Sequence, residues 1–208
     1  MARTGTCANP ASSFTAMILA GGGATRLRGV VADRCKPMAL VQGEPFVVRL
    51  LDQLAAAGCR RVILCTGVFG EQVERELGTE HAGMAVCYSR ELHPLGTGGA
   101  LRQALPLLDD DASLVLNGDS FVDTDLAPFV AWARERDAAL LAVPVEDASR
   151  FGTVTFDAGG RVLEFAEKRP GGRGWISAGI YWFDRCVLAA RTADTPCSLE
   201  TDVLPAVV

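Results

Sequence analysis

Apolar and polar positions fall into short unbroken apolar runs separated by stretches with helical spacing, and that alternation predicts strands and helices in βαβ order. Residues 17–20 are an apolar run, consistent with a buried strand, that empties into Gly21-Gly22-Gly23. Residues 45–57 repeat apolar side chains at helical intervals and stop at Gly58, and residues 61–65 read as a second buried strand. A short polar helix over 71–77, a strand over 84–88, a helix over 98–108 with a glycine-rich start and a strand over 113–116 continue the rhythm. The expected fold is α/β: a three-layer αβα, Rossmann-like mixed sheet, mostly parallel, with ligands beyond the carboxyl ends of its strands.

Past residue 119 the pattern changes. A helix from 126 to about 136 leads to an apolar strand over 138–145, then to shorter strands over 153–156, 162–165 and 175–183, with glycine-rich breaks between them. This half predicts a small antiparallel addition to the sheet. No repeat, low-complexity tract or linker divides the chain, so the expectation is one domain over residues 14–208 behind a flexible tail of residues 1–13.

Composition narrows the function more than the fold. With 25 acidic against 20 basic side chains the chain has no general field for a polyanion, which argues against nucleic acid and makes any phosphate site local. The 7 cysteines are odd in number and contain no C-x-x-C pair, and His81 and His93 are the only histidines; reduced thiols and a cytoplasmic location follow, and structural zinc does not. No apolar run reaches the length of a membrane span and the N-terminal stretch lacks an apolar signal core, so no membrane partner is expected.

Local chemistry concentrates in a few places. After the first strand, Gly21, Gly22 and Gly23 let backbone N–H groups approach a ligand, while Arg26 and Lys36 add two cations to the same loop. Neither G-x-x-x-x-G-K-[ST] nor G-x-G-x-x-G is present. Asp119, behind Asn117 and Gly118, is a carboxylate directly after a buried strand, or else ordinary turn chemistry. Pro94 to Ala100 is a second glycine-rich loop opening a helix, with the Thr97 hydroxyl and the Gly98 amide available. Glu167-Lys168 alone reads as a solvated ion pair, and Ser198-Leu199-Glu200-Thr201-Asp202 as a helix N-terminus. Asp123-Thr124-Asp125 matches the D-x-D metal motif of nucleotide-sugar glycosyltransferases, but Asp125 stands where a helix N-cap is expected.

Taken together, the string Leu19-Ala20-Gly21-Gly22-Gly23-Ala24-Thr25-Arg26-Leu27 followed by Lys36-Pro37-Met38 resembles the L-A-G-G-x-G-T-R-L and P-K-P-M signature of sugar-1-phosphate nucleotidyltransferases. Ala24 replaces a usual Gly and Cys35 a usual Pro. Further motifs follow in family order. The resemblance implies a nucleotide site of Leu19, Ala20, Gly21, Gly22, Gly23, Thr25, Arg26, Thr97, Gly98, Asn117 and Gly118, with the base seated by residues 19–21, Thr97 and Gly98. It implies a sugar-phosphate site of Gly152, Glu167, Lys168, Ser177 and Gly179, where Ser177 replaces the usual Asn. Arg26, Lys36, Asp119 and Lys168 become the catalytic set, with Asp119 holding Mg²⁺ against the α-phosphate.

The S-L-E-x-D string at 198–202 points to the heptose-1-phosphate guanylyltransferase branch, implying GTP and a manno-heptose 1-phosphate as partners. UTP, dTTP, CTP or ATP with another sugar remain open, as do a glycosyltransferase and a nucleotide sensor without turnover; the sequence leaves room for a homo-oligomer. The family's second Mg²⁺-binding Asp lies in a D-x-G-T-P-like segment downstream, whereas this sequence stops at Val208. The expectation is a shortened form, with Asp202 the nearest substitute carboxylate.

Overall fold

The computed structural model describes residues 13–21, 35–166, 172–192 and 196–208. The parallel centre of the sheet begins with β1 (Phe14–Ala20), which is flanked by β4 (Cys59–Thr66) and β7 (Ala112–Asn117). Between β1 and β4 come a 3₁₀ turn Lys36–Met38, the short hairpin of β2 (Leu40–Val41) and β3 (Glu44–Pro45), and α1 (Phe46–Ala56). Between β4 and β7 come α2 (Gly70–Leu77), β5 (Glu80–His81), β6 (Met84–Arg90) and α3 (Gly96–Ala104). After β7 the chain forms α4 (Ala127–Ala133), β8 (Ala138–Val145), β9 (Thr153–Phe156), β10 (Val162–Ala166), β11 (Gly174–Asp184) and α5 (Arg185–Arg191). It ends in a π-helical turn Leu199–Val203 and a 3₁₀ turn Leu204–Ala206.

Among the described residues the main sheet has nine strands in the order β10-β9-β11-β7-β1-β4-β6-β5, with β8 on β11. Strands β7, β1, β4 and β6 run parallel, whereas β11 joins β7 antiparallel and brings β8 and β9 with it. One continuous strand therefore belongs to both halves of the molecule. β1 is buried on both faces, which explains why its sequence reads as an unbroken apolar run instead of alternating.

Two apolar clusters make the structure three-layered. On one face α1 packs Val47, Leu50, Leu51 and Leu54 with Val73 of α2 and Val130 and Ala133 of α4. The i, i+3, i+4, i+7 spacing on α1 puts all four side chains on one stripe, and each such burial contributes about 1.5–3 kcal/mol before entropy is set against it. On the other face α3 supplies Ala100, Leu101 and Ala104, joined by Leu188 of α5 and by Leu199, Val203 and Leu204. Near the end of the chain Leu204 is thus covered, while Val208 is 47% exposed. Two helices also differ from expectation. Pro106 turns the end of the third helix into a 3₁₀ turn Leu105–Leu107, and α4 stops at Ala133, ahead of the 136 expected. Among the described residues no helix is long and apolar enough to cross a membrane.

Candidate active site

β1 is the point where the sheet reverses its order of growth: β4 and β6 are added on one side, and β7 returns to the other. In open α/β sheets the crevice beyond such a switch point is where ligands enter. The ends of β1 and β7 are joined there by a hydrogen bond from the Gly118 N–H to the Leu19 carbonyl, 3.0 Å. A Cβ on Gly118 would lie 2.5 Å from Leu19 O and 2.9 Å from Pro37 Cγ, so only glycine lets the three segments meet. The consequence is that Asp119, the next residue, reaches Lys36, which donates to Asp119 Oδ2 at 3.2 Å. These side chains are 50% and 35% exposed, so the pair is worth at most about 1 kcal/mol and separates readily when phosphates compete for the ammonium.

A cleft of about 830 Å³ opens beside this turn. Asn117, Gly152, Ser177 and Gly179 line it, bringing together residues from two strands and a loop. The Gly179 N–H donates to Ser177 Oγ at 3.1 Å, and the Ser177 hydroxyl donates to Tyr181 Oη at 3.0 Å, so Ser177 in its Asn position serves the strand's own bulge. Asn117 Oδ1 is a buried acceptor with no hydrogen-bond partner among the described residues, which leaves it open to a ligand donor.

The second glycine-rich loop makes contacts within the chain. Its Gly98 amide donates to Cys197 O at 2.8 Å, and the Thr97 hydroxyl bonds the Leu199 amide and the Glu200 carboxylate. Among the residues expected at the base, Leu19, Ala20 and Gly21 do stand at the β1 end. Gly22, Gly23, Thr25, Arg26, Glu167 and Lys168 lie outside the described residues.

Asp125 accepts from the Ala127 N–H at 2.9 Å and stands one residue ahead of Leu126, the N-cap of α4, so it serves the turn that enters the helix instead of being the cap itself. Asp202 turns back on its own segment, accepting from the Ser198 N–H at 2.7 Å and from Thr201 Oγ1 at 3.2 Å, and is thereby taken up as a cap. Among the described residues no three His, Cys, Asp or Glu side chains gather in a metal-binding group. Asp119 suits a hard cation that brings most of its ligands from substrate phosphates and water, as Mg²⁺ does.

Sequence reasoning passed over Glu91. It follows β6, its N–H donates to Thr66 O at 2.8 Å, and its Oε2 accepts from the Leu95 N–H at 2.8 Å. A Cβ on Gly21 would lie 2.9 Å from Glu91 Oε1, which puts the carboxylate at the mouth of the first glycine loop. Burial pushes its pKa up, partly opposed by the Leu95 hydrogen bond. The strand-end logic that singled out Asp119 applies equally to this residue.

With this geometry in place, the comparisons define the class: a nucleotidyl transferase family model matches residues 15–206, and the chain belongs to that family. It is 38% identical over 197 residues to the mannose-1-phosphate guanylyltransferase of Mycobacterium tuberculosis, covering 93% of this chain but 55% of that protein. It is 34% identical over 192 residues to the D-glycero-alpha-D-manno-heptose 1-phosphate guanylyltransferase of Aneurinibacillus thermoaerophilus, covering 91% of this chain and 83% of that one. The crystal structure of HddC from Yersinia pseudotuberculosis complexed with GMP-PN superposes with a TM-score of 0.82 at 31% identity, over 92% of this chain and 85% of that one. The chain thus spans about half the length of the mannose relative and most of the heptose relative.

Proposed function

We propose that this chain is a sugar-1-phosphate guanylyltransferase that joins GTP to a manno-configured heptose 1-phosphate, forming a nucleotide-sugar and pyrophosphate. The observation that carries the reading is the Lys36–Asp119 pair at 3.2 Å, a cation and an anion at the crevice where a triphosphate would lie. An oxygen of the sugar phosphate attacks the α-phosphorus, a new P–O bond forms, and the bond to the pyrophosphate breaks with its electron pair leaving on pyrophosphate. No general base is required, because the attacking phosphate is already ionised at neutral pH. Catalysis then consists of positioning and charge stabilisation.

Lys36 donates to the departing phosphates once they draw it from Asp119; by resemblance Arg26 shares that work and Lys168 holds the attacking phosphate. Asp119 would hold Mg²⁺, which when bound neutralises the α-phosphate. Guanine is supported by Glu91: an ionised carboxylate only accepts, and the Watson–Crick edge of guanine offers two adjacent donors, N1–H and the N2 amino group. The heptose is supported by the S-L-E-x-D string at 198–202 and by the 34% identity to the heptose relative. A cytoplasmic setting is supported by the free thiols of the six described cysteines.

Pyrophosphate release, measured over GTP, ATP, CTP, UTP and dTTP against a series of sugar 1-phosphates, tests the reading. The highest kcat/KM is expected for GTP with manno-heptose 1-phosphate. Preference for another triphosphate would overturn the guanylyl assignment, and no release with any pair would overturn the reaction.

A further inference from the structure

The Thr97 hydroxyl makes two bonds at once. It accepts from the Leu199 N–H at 2.7 Å and donates to Glu200 Oε2 at 3.1 Å, joining positions 103 residues apart in the latter bond. The turns around it are built to bring this about. The Gly98 and Gly99 amides both donate to Cys197 O, at 2.8 and 3.3 Å, and the Cys197 N–H donates to Leu95 O at 2.8 Å. Gly96 sits at φ +73°, and a Cβ there would lie 2.5 Å from Cys197 O. The glycines of this loop therefore admit a neighbouring backbone, and much of the first turn of α3 is committed to the segment that carries Glu200.

That segment is braced at its own end as well. Ser198 Oγ accepts from the Thr201 N–H and donates to Glu200 Oε2, each at 3.2 Å, while Leu199 and Val203 are fully buried. Glu200 is exposed, and the space it faces is the cleft lined by Gly152, Ser177 and Gly179. Among the described residues its Oε1 has no hydrogen-bond donor. Tyr181, on the same cleft, reports the nearby charge: burial chiefly, and the Glu200 carboxylate in addition, push its hydroxyl up to about 12, against the Ser177 hydrogen bond.

We propose that Thr97 is a positioning residue whose hydroxyl holds Glu200 in the cleft, and that Glu200 accepts a hydrogen bond there from a hydroxyl of the bound sugar 1-phosphate. The inference rests on the reading of the cleft as a sugar-1-phosphate site. A sugar ring presents hydroxyl donors on its rim, and a carboxylate whose rotamer is fixed by two hydroxyls can select one of them without reordering on binding. The glycine-rich loop thereby acts on the sugar side of the reaction, through a residue that would otherwise be assigned to the base.

The test uses Thr97→Val, Thr97→Ser and Glu200→Gln in the full chain, alone and combined. Thr97→Val should raise the KM for the sugar 1-phosphate about tenfold, the loss of one charge-assisted hydrogen bond. The Kd for GTP, measured calorimetrically without sugar, should stay within about twofold, and Thr97→Ser should restore the KM. Glu200→Gln should raise the same KM, and adding Thr97→Val to it should change little, because the two residues act through one contact. Weakened GTP binding with an unchanged sugar KM would show that Thr97 reads the base and overturn the proposal, as would full additivity of the two variants. Amide exchange separates this inference from its parent. If wild type turns over no sugar 1-phosphate, the reaction reading fails; if in addition the Leu199 amide exchanges no faster in Thr97→Val, the positioning role fails as well.

Discussion

Asp119 and Glu91 are carboxylates just past the ends of β7 and β6, two parallel strands of one sheet, and their surroundings give them different work. Asp119 is half exposed with Lys36 on it, so its charge is available to whatever cation arrives with the substrate. Replacing it with Asn keeps the shape and removes the charge. Turnover should fall on the order of 10²- to 10³-fold, with the far-ultraviolet circular dichroism unchanged. Wild-type pyrophosphate release from that variant would remove Asp119 from the mechanism. Glu91 is the opposite case, a carboxylate raised by burial, so the folded chain takes up its proton more readily than the unfolded chain does. Ionising it costs stability, and that cost sets in as pH rises through the raised pKa. Guanine donors would favour the ionised form. GTP binding should therefore release a proton in the acidic window between the ordinary carboxylate pKa and the raised one, and weaken as pH falls through that window. Calorimetry in buffers of different ionisation heat checks this, and Glu91→Gln should abolish the proton release.

At the scale of elements, the close approaches decide what can change. Gly118 joins β7 to both β1 and the Lys36–Met38 turn, so Gly118→Ala forces a Cβ against a carbonyl 2.5 Å away. Overpacking of this kind costs about 1–3 kcal/mol, and thermal melting should register it together with a loss of turnover larger than the unfolded fraction explains. β1, β4 and β7 were legible because they are largely buried on both faces and read as apolar runs; α1 was legible because its stripe repeats at helical intervals. The site was legible where a motif is local, as at Gly21, Lys36 and Asp119. What could not be read is set by partners far along the chain. α3 begins at Gly96, two residues before expectation, as Cys197 O and Leu199 N meet its first turn. The same contacts give Thr97 its occupation, and no pattern within residues 94–100 announces them. Arg26, Glu167 and Lys168 lie outside the described residues and keep only the roles their motifs imply.

At the scale of the whole molecule, one sheet carries an apolar cluster on each face, and β11 ties the parallel centre to the antiparallel flank. Neither cluster can be exposed without opening the sheet that backs the other. Far-ultraviolet circular dichroism and tryptophan fluorescence should therefore follow one coincident denaturant transition, with buried Trp182 reporting the core; two separate midpoints would show that the halves unfold independently. GTP at a hundred times its Kd should shift that transition by about 2.7 kcal/mol. The position of β1 also has a consequence in time. It is synthesised well before β7, yet its register with β7 pairs Thr15 with Ser113 and Leu19 with Asn117. The innermost strand of the sheet must wait with one edge bare until β7 has left the ribosome. During that interval it is an apolar, hydrogen-bond-hungry edge, the kind that recruits strands from other molecules. Nascent chains halted before residue 112 should accordingly stay protease-sensitive and bind holdase chaperones, and those halted far enough beyond residue 184 to clear the exit tunnel should not.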